Sequence, residues 1–292
     1  MIETSLRVLG QEHPSTLTSM GNLAAIYRNQ GRWKEAEDLL VQVMETRKRV
    51  LGQEHLDTLT SMGNLASIYR SQGRWKEAED LLVQVMETFK RLLGQEYLDT
   101  LTSMANLAII YRNQGRWKEA EDLDVQVIET FKRVLGQEHP DTLTSIGNLA
   151  SIYRDQGRWK EAEDLDVQVM ETSLRVLGQE HLDTLISMNN LAVTYKNQGR
   201  RKEAEELQAT ELEMSSRVLG QEHPDTLTSM ANLAVIWKGH GRDVDALELM
   251  RQCVEVQTRI LGSDHPDTLS CSAALLGWEA EKLEVRSSAD RA

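Results

Sequence analysis

The stretch "NLASIYRSQGRW", Asn64–Trp75, returns almost unchanged at Asn22, Asn106 and Asn148, always 42 residues away from the next copy. That spacing decides the fold class, because self-similarity at a period of tens of residues marks stacked supersecondary units that cannot cover their own apolar faces alone. The pair Leu-Gly keeps the same phase at Gly10, Gly52, Gly94, Gly136, Gly178, Gly220 and Gly262. Six full repeats follow: 11–52, 53–94, 95–136, 137–178, 179–220 and 221–262. The first two differ at six of 42 positions, which points to recent duplication of one module.

Each repeat reads as two helices. In repeat 2, Leu59, Met62, Leu65, Ala66 and Tyr69 recur at helical spacing up to Gly73, a residue suited to the left-handed conformation that ends helices. A second helix starts near Trp75 and carries Ala78, Leu81, Leu82, Val85, Met86, Leu92 and Leu93 to Gly94. Where His-Pro-Asp opens a repeat, as at His139-Pro140-Asp141, proline fits the first helical turn and the aspartate complements its positive dipole end. The fold class expected is therefore all-α, tandem αα-hairpins stacked as a solenoid. Met1 aligns with Val43 inside a second helix, so residues 1–10 read as the remnant of a truncated repeat and the chain as a piece of something longer. Residues 263–286 read as a C-terminal capping helix, since Ala274, Glu279 and Ala280 replace the usual Asn, Tyr and Arg. Residues 287–292 read as a disordered tail.

Bulk composition narrows the partners. Lys+Arg 33 against Asp+Glu 46 gives a net charge of −13. That sign opposes phosphate, so neither nucleic acid nor an anionic membrane is expected as the main partner. Only Cys253 and Cys271 are present, too few for a disulfide framework, so a reducing, cytoplasmic setting is expected. No apolar run approaches the roughly 18 residues of a membrane span, and "MIETSLRVLG" lacks the apolar segment of a signal peptide.

The pattern Asn22-Leu23-Ala24, Tyr27, Gly31 and Glu35-Ala36, recurring in most repeats, resembles the tetratricopeptide repeats. The 42-residue period with "LGQEHPDT" between hairpins is similar to the kinesin light chain type. Similar arrays form the C-terminal arms of fungal and bacterial NLR-like (STAND) nucleotide-binding signalling proteins. The resemblance implies a right-handed superhelical solenoid whose first helices line a concave groove. Repeat 5 departs from the pattern, with Arg201 for the Trp and Gln208 and Glu211 where repeat 1 has Leu40 and Val43. It should couple weakly to its neighbours.

At about 100° per residue, Leu17, Met20, Leu23, Ala24 and Tyr27 share one sector of the first helix, the packed face. On the opposite sector variation concentrates along a stripe. Its middle position reads Ala25, Ser67, Ile109, Ser151, Val193 and Val235. The flanks stay nearly fixed as Asn22, Asn64, Asn106, Asn148, Asn190 and Asn232, and as Arg28, Arg70, Arg112, Arg154, Lys196 and Lys238. On one reading these eighteen residues bind a ligand: the Asn ladder engages an extended backbone, the Arg/Lys ladder attracts carboxylates, and the stripe chooses side chains. On the other, Asn and Arg only bridge adjacent hairpins. Drift at a second-helix position, Arg47, Phe89, Phe131, Ser173, Ser215 and Gln257, reads as convex-surface drift and weighs against groove selection.

No catalytic residue, metal site or cofactor is expected. The His-Pro-Asp tripeptides read as helix starts, and histidines a repeat apart lie beyond shared first-shell reach. Glu37-Asp38 and Glu79-Asp80 read as solvated charge. Trp33, Trp75, Trp117 and Trp159 read as packing at hairpin turns, and full burial would make each worth about 3–5 kcal/mol. No GxxxxGK[ST] phosphate loop occurs. The expectation is a non-enzymatic scaffold that binds a peptide or protein, including acidic ones, as the ligand-sensing arm of a larger NLR-like signalling ATPase. The alternatives are an oligomerisation element, self-associating through an uncapped N-terminal end, and a cargo adaptor similar to kinesin light chain.

Overall fold

The computed structural model describes residues 7–289, with side chains as far as Leu283. Most of the expected remnant 1–10 and residues 290–292 of the expected tail lie outside the described residues. Two compact bodies are present, one ending at Gln137 and the other beginning at Glu138. The first holds α1 (Pro14–Asn29), α2 (Trp33–Leu51), α3 (Leu56–Ser71), α4 (Trp75–Leu93), α5 (Leu98–Asn113) and α6 (Trp117–Val134). In the second are α7 (Pro140–Asp155), α8 (Trp159–Leu177), α9 (Leu182–Asn197), α10 (Arg201–Val218), α11 (Pro224–Gly239), α12 (Asp243–Ile260) and α13 (Pro266–Ala289). Among the described residues the regular structure is entirely helical, one αα-hairpin per repeat, as expected for an all-α tandem solenoid. The last helix runs to Ala289, three residues past the expected end of the capping segment.

The punctuation has half the sequence period. A glycine with φ between 71° and 99° recurs every 21 residues from Gly10 to Gly262, ending first and second helices alike. Left-handed φ disfavours a Cβ, which is why the position stays Gly while neighbouring loop residues drift. At the start of first helices, Nδ1 of His13, His55, His139, His181, His223 and His265 accepts the N–H two residues on, at 3.1–3.2 Å. These histidines are N-caps. Thr58, Thr100 and Thr184 close the same loop by donating to the preceding glycine carbonyl at 2.8–2.9 Å. Tyr97 takes the cap position of α5 and supplies no side-chain bond. Replacing Tyr97 by Ser should therefore raise stability by about 1 kcal/mol in chemical denaturation, whereas His139→Ala should cost a similar amount.

Packing alternates within and between hairpins. Ala24 of α1 and Ala36 of α2 are fully buried, letting the two helices approach closely, and Leu40 of α2 meets Leu65 and Ile68 of α3. A polar clasp repeats along the edge. Glu37 of α2 accepts from Gln72 Nε2 at 2.9 Å and Arg74 Nη1 at 2.7 Å, both of the next repeat. Glu79 does the same with Gln114 and Arg116, at 2.9 and 2.8 Å, and Glu163 with Gln198 and Arg200. Each of these arginines also stacks on a tyrosine, Arg74 lying 4.0 Å from the Tyr69 ring centre and Arg116 3.9 Å from that of Tyr111. Burial pushes the Glu37 and Glu79 carboxyls up, but the hydrogen bonds outweigh it and hold both below the usual range. The expectation of solvated charge is thus corrected for Glu37 and Glu79, which tie repeats together. Asp80 keeps the expected role, 3.0 Å from exposed Lys76. Trp33 packs against the cluster of Ala24, Ala36 and Leu40, whereas Trp75 and Trp117 are 40% and 41% exposed, so neither of these two carries the cost of a core aromatic.

Repeat 5 replaces apolar core with buried polar groups. Gln208 Nε2 donates to Glu211 Oε2 at 2.9 Å and Ser215 Oγ donates to Glu211 Oε1. Glu211 is 2% exposed, burial raises its pKa against the pull of Ser215 and Ser229, and Gln208 Oε1 is left without a partner. Desolvating these groups offsets much of what packing contributes. Native-state hydrogen exchange should be about tenfold faster or more in α10 than in α4, a difference of about 1.4 kcal/mol in opening energy. Equal protection of the two helices would contradict it.

Candidate functional site

Three cavities open between consecutive first helices, and they are one cavity in three registers. The half-open hollow between α1 and α3 holds about 430 Å³, that between α3 and α5 about 310 Å³, and that between α7 and α9 about 380 Å³. Small residues keep the walls apart: a Cβ built on Gly21, Gly63 or Gly147 would meet nothing within 4 Å. The first cavity gathers Asn22, Ala25, Arg28 and Asn64. Asn64, Ser67, Arg70 and Asn106 line the second together with Arg28, and Asn148, Ser151 and Asn190 line the third. The predicted ladders and stripe therefore face shared hollows in these repeats.

The side chains differ sharply in what they are free to do. Among the described residues, the amides of Asn22, Asn64, Asn106, Asn148 and Asn190 have no hydrogen-bond partner, whereas Asn232 Nδ2 donates to Asn189 Oδ1 at 2.8 Å. Arg28 donates to Ser67 Oγ of the next repeat at 3.2 Å. Arg70 has neither hydrogen bond nor ion pair among the described residues. Burial, and then the neighbouring charges of Arg28 and Arg112, push its pKa down. Lys196 is likewise unpaired, while Lys238 is held by Asp243 and Glu281, each at 2.9 Å.

Arg154 is engaged through both terminal nitrogens. It reaches Asp166 Oδ2 at 2.6 Å, Ser151 Oγ at 2.5 Å and Thr194 Oγ1 at 3.3 Å. Thr194 donates its own hydroxyl hydrogen to the same Asp166 oxygen at 2.6 Å. The ion-paired side chains are only 11% and 2% exposed. Burial pushes Asp166 up, opposed by Arg154 and Thr194. Bridging thus describes Arg28, Arg154, Lys238 and Asn232. The structure leaves Arg70 unpaired because Leu82 stands behind it where Asp166 stands behind Arg154.

Two groups of residues escaped the sequence reading. Asp124 and Asp166 occupy the register of Leu40 and Leu82, and Thr194 that of Ile26, Ile68, Ile110, Ile152 and Ile236. The switch from Leu40 and Leu82 to Asp124, Asp166 and Gln208 in one column, and the lone Thr194 in a column of isoleucines, are the signals in the sequence. The drifting second-helix position is also reassigned. Phe89, Phe131, Ser173, Ser215 and Gln257 are buried, and Arg47, Phe89 and Ser173 form the bases of the three cavities. Arg47 lies four residues beyond Val43 and eleven beyond Ala36, on the stripe that packs inward. Variation there falls on the same hollows as the first-helix stripe and no longer weighs against selection.

The tetratricopeptide repeat family matches this chain over residues 2–49, 15–91, 57–133, 99–173, 141–209 and 183–243, and again over 226–267. A kinesin light chain-like protein of Podosopora anserina with nearly identical TPR-like repeats is 35% identical. That similarity covers 71% of this chain and 98% of that one, with a TM-score of 0.59. NprR in complex with its cognate peptide NprX is similar at 14% identity, TM-score 0.63, over 97% of this chain and 78% of that chain. A signal transduction ATPase with numerous domains and a tetratricopeptide repeat sensor, from Pyrococcus horikoshii, gives 14% identity and TM-score 0.61. There 92% of this chain and 39% of that chain are covered. The last two show the fold alone. No match was found among the curated proteins. Among the described residues no helix is long and apolar enough to cross a membrane.

Proposed function

We propose, from the premise that this chain belongs to the tetratricopeptide repeat family, that it is a non-catalytic interaction scaffold whose first-helix face receives a peptide or protein segment. One observation carries the reading: residues that vary between repeats, on both helices of the hairpin, converge on hollows framed by unpaired asparagine amides. Such amides offer a donor and an acceptor to an extended backbone. In the first body the unpaired Arg70 supplies a carboxylate site, since a half-buried guanidinium gains most from a charge-assisted bond. In the second, Asp166 already neutralises Arg154. Acidic side chains are therefore drawn to repeats 2 and 3.

Random dodecapeptides displayed on phage and selected on the full chain test this reading. The expected binders contain Asp or Glu, and Arg70→Ala weakens them about tenfold or more at physiological salt, the worth of one charge-assisted bond. Binders without acids, indifferent to Arg70→Ala, would overturn it.

The finer reading is that the scaffold is the ligand-sensing arm of a larger NLR-like signalling ATPase in the cytoplasm. Its support is the sequence resemblance to such arms, and its test is whether the gene encodes a nucleotide-binding domain in the same polypeptide. The 35% identity to a kinesin light chain-like protein favours a cargo adaptor as the second reading, which a heptad coiled coil in that place would support. Self-association is distinguished from both by sedimentation across a concentration range.

A further inference from the structure

The cavity between α7 and α9 differs from its counterparts at its base. In the register of Arg47 and Phe89 it has Ser173, which is 1% exposed and whose Oγ has no hydrogen-bond partner. Arg47 is engaged, donating to Ser61 Oγ at 2.8 Å and the Asp57 carbonyl at 3.1 Å, and Phe89 packs with Leu59, Met62 and Val85. A buried hydroxyl left unpaired is unfavourable until another polar atom completes it.

The rest of the cavity restricts what that atom belongs to. Leu143, Val169 and Ile186 give apolar walls around the hydroxyl. Asp183 places a carboxylate at the mouth, and Arg154 is committed to Asp166, so a neutral group fits better than an anion. Its volume of about 380 Å³ lies within the roughly 300–1,000 Å³ of small-ligand pockets. Asn148 and Asn190 stand at the rim with unpaired amides.

We propose that the second-helix residue at the base of each cavity selects the inserted side chain, and that the cavity over Ser173 takes the phenol of a tyrosine in a bound polypeptide. The ring lies against Leu143, Val169 and Ile186, the phenolic hydroxyl meets Ser173 Oγ, and the flanking backbone meets Asn148 and Asn190. This rests on the reading that the first-helix face receives a polypeptide.

Titration of the full chain with N-acetyl-tyrosine N-methylamide, its phenylalanine counterpart and p-cresol, followed by NMR, tests it independently of the Arg70 experiment. The tyrosine probe should bind about tenfold more tightly than the phenylalanine probe, and more tightly than p-cresol. Ser173→Ala should erase the tyrosine preference. Ser173→Phe, which installs the residue found in the same register as Phe89 and Phe131, should abolish binding of all three with the helical signal unchanged. Equal binding of the tyrosine and phenylalanine probes, or binding that survives Ser173→Phe, would overturn the assignment. Binding of p-cresol as tight as the tyrosine probe would overturn its polypeptide part. Failure of all three probes, with dodecapeptide binding still dependent on Arg70, would remove this site and leave the interaction face standing.

Discussion

Asp124→Leu is expected to stabilise the protein by about 4 kcal/mol more at pH 7.5 than at pH 4. Asp124 is fully buried, and neither carboxylate oxygen has a hydrogen-bond partner. Burial pushes its pKa up to about 7 from the ordinary 3.8, with only the charge of Arg112 opposing. A carboxyl whose folded pKa is raised binds its proton more tightly in the folded state. Its unfavourable contribution is therefore absent below the unfolded pKa, grows as pH rises from about 4 to about 7, and is constant above. The gap of roughly three pH units corresponds to about 4 kcal/mol at 1.36 kcal/mol each. Leucine is already accommodated in this register, since Leu40 and Leu82 are buried there. Leu82 packs with Ala66 and Ala78 in repeat 2, and repeat 3 keeps Ala108 and Ala120 buried in the same registers. Urea denaturation at the two pH values measures the effect. A variant whose advantage is the same at pH 4 and pH 7.5 would show that Asp124 is not buried uncharged.

Arg154→Ala is expected to cost about 3–5 kcal/mol, and Arg70→Ala close to nothing, although the two residues occupy one register. Removing Arg154 strands the Asp166 carboxylate, 2% exposed, with Thr194 as its remaining donor, and an uncompensated buried charge carries that order of cost. Removing Arg70 strands no anion. Asp166→Leu leaves the Arg154 guanidinium, 11% exposed, without its anion and should itself cost stability, because only replacement of both partners by apolar groups approaches neutrality. The double variant Arg154→Ala/Asp166→Leu should then recover most of the loss, a strong departure from additivity between neighbours. Equal costs for Arg154→Ala and Arg70→Ala would mean that the pair contributes nothing to the fold. Because these variants lie in different bodies, thermal or urea unfolding is best followed with probes in each, repeat arrays often losing two-state behaviour.

Sequence reasoning located the helices well because their signals are local. Glycine at a left-handed turn, histidine at an N-cap and apolar residues at helical spacing act within a few residues of one another, and six copies repeat the message. The candidate face was legible for the same reason: Asn64, Ser67 and Arg70 share a helix, so their relative directions follow from helical geometry. The second-helix position of Arg47, Phe89 and Ser173 varies as a convex-surface position would, yet its phase with Ala36, Leu40 and Val43 puts it on the packed stripe. The clasp between Glu37, Gln72 and Arg74 joins residues 35 to 37 positions apart, and nothing local distinguishes Glu37 from its exposed neighbour Asp38.

By itself the sequence determined the 42-residue period, the all-α hairpin, the packed sector of the first helix and the face on which variation collects. Only the tertiary structure decided which members of the cationic ladder are free. Arg70 and Arg154 look alike along the chain, yet one faces Leu82 and the other an aspartate 12 positions on and a threonine 40 positions on. The physical reason is that pairing and desolvation of a charge depend on what the neighbouring helices bring within about 4 Å. A periodic sequence conceals such differences behind nearly identical repeats.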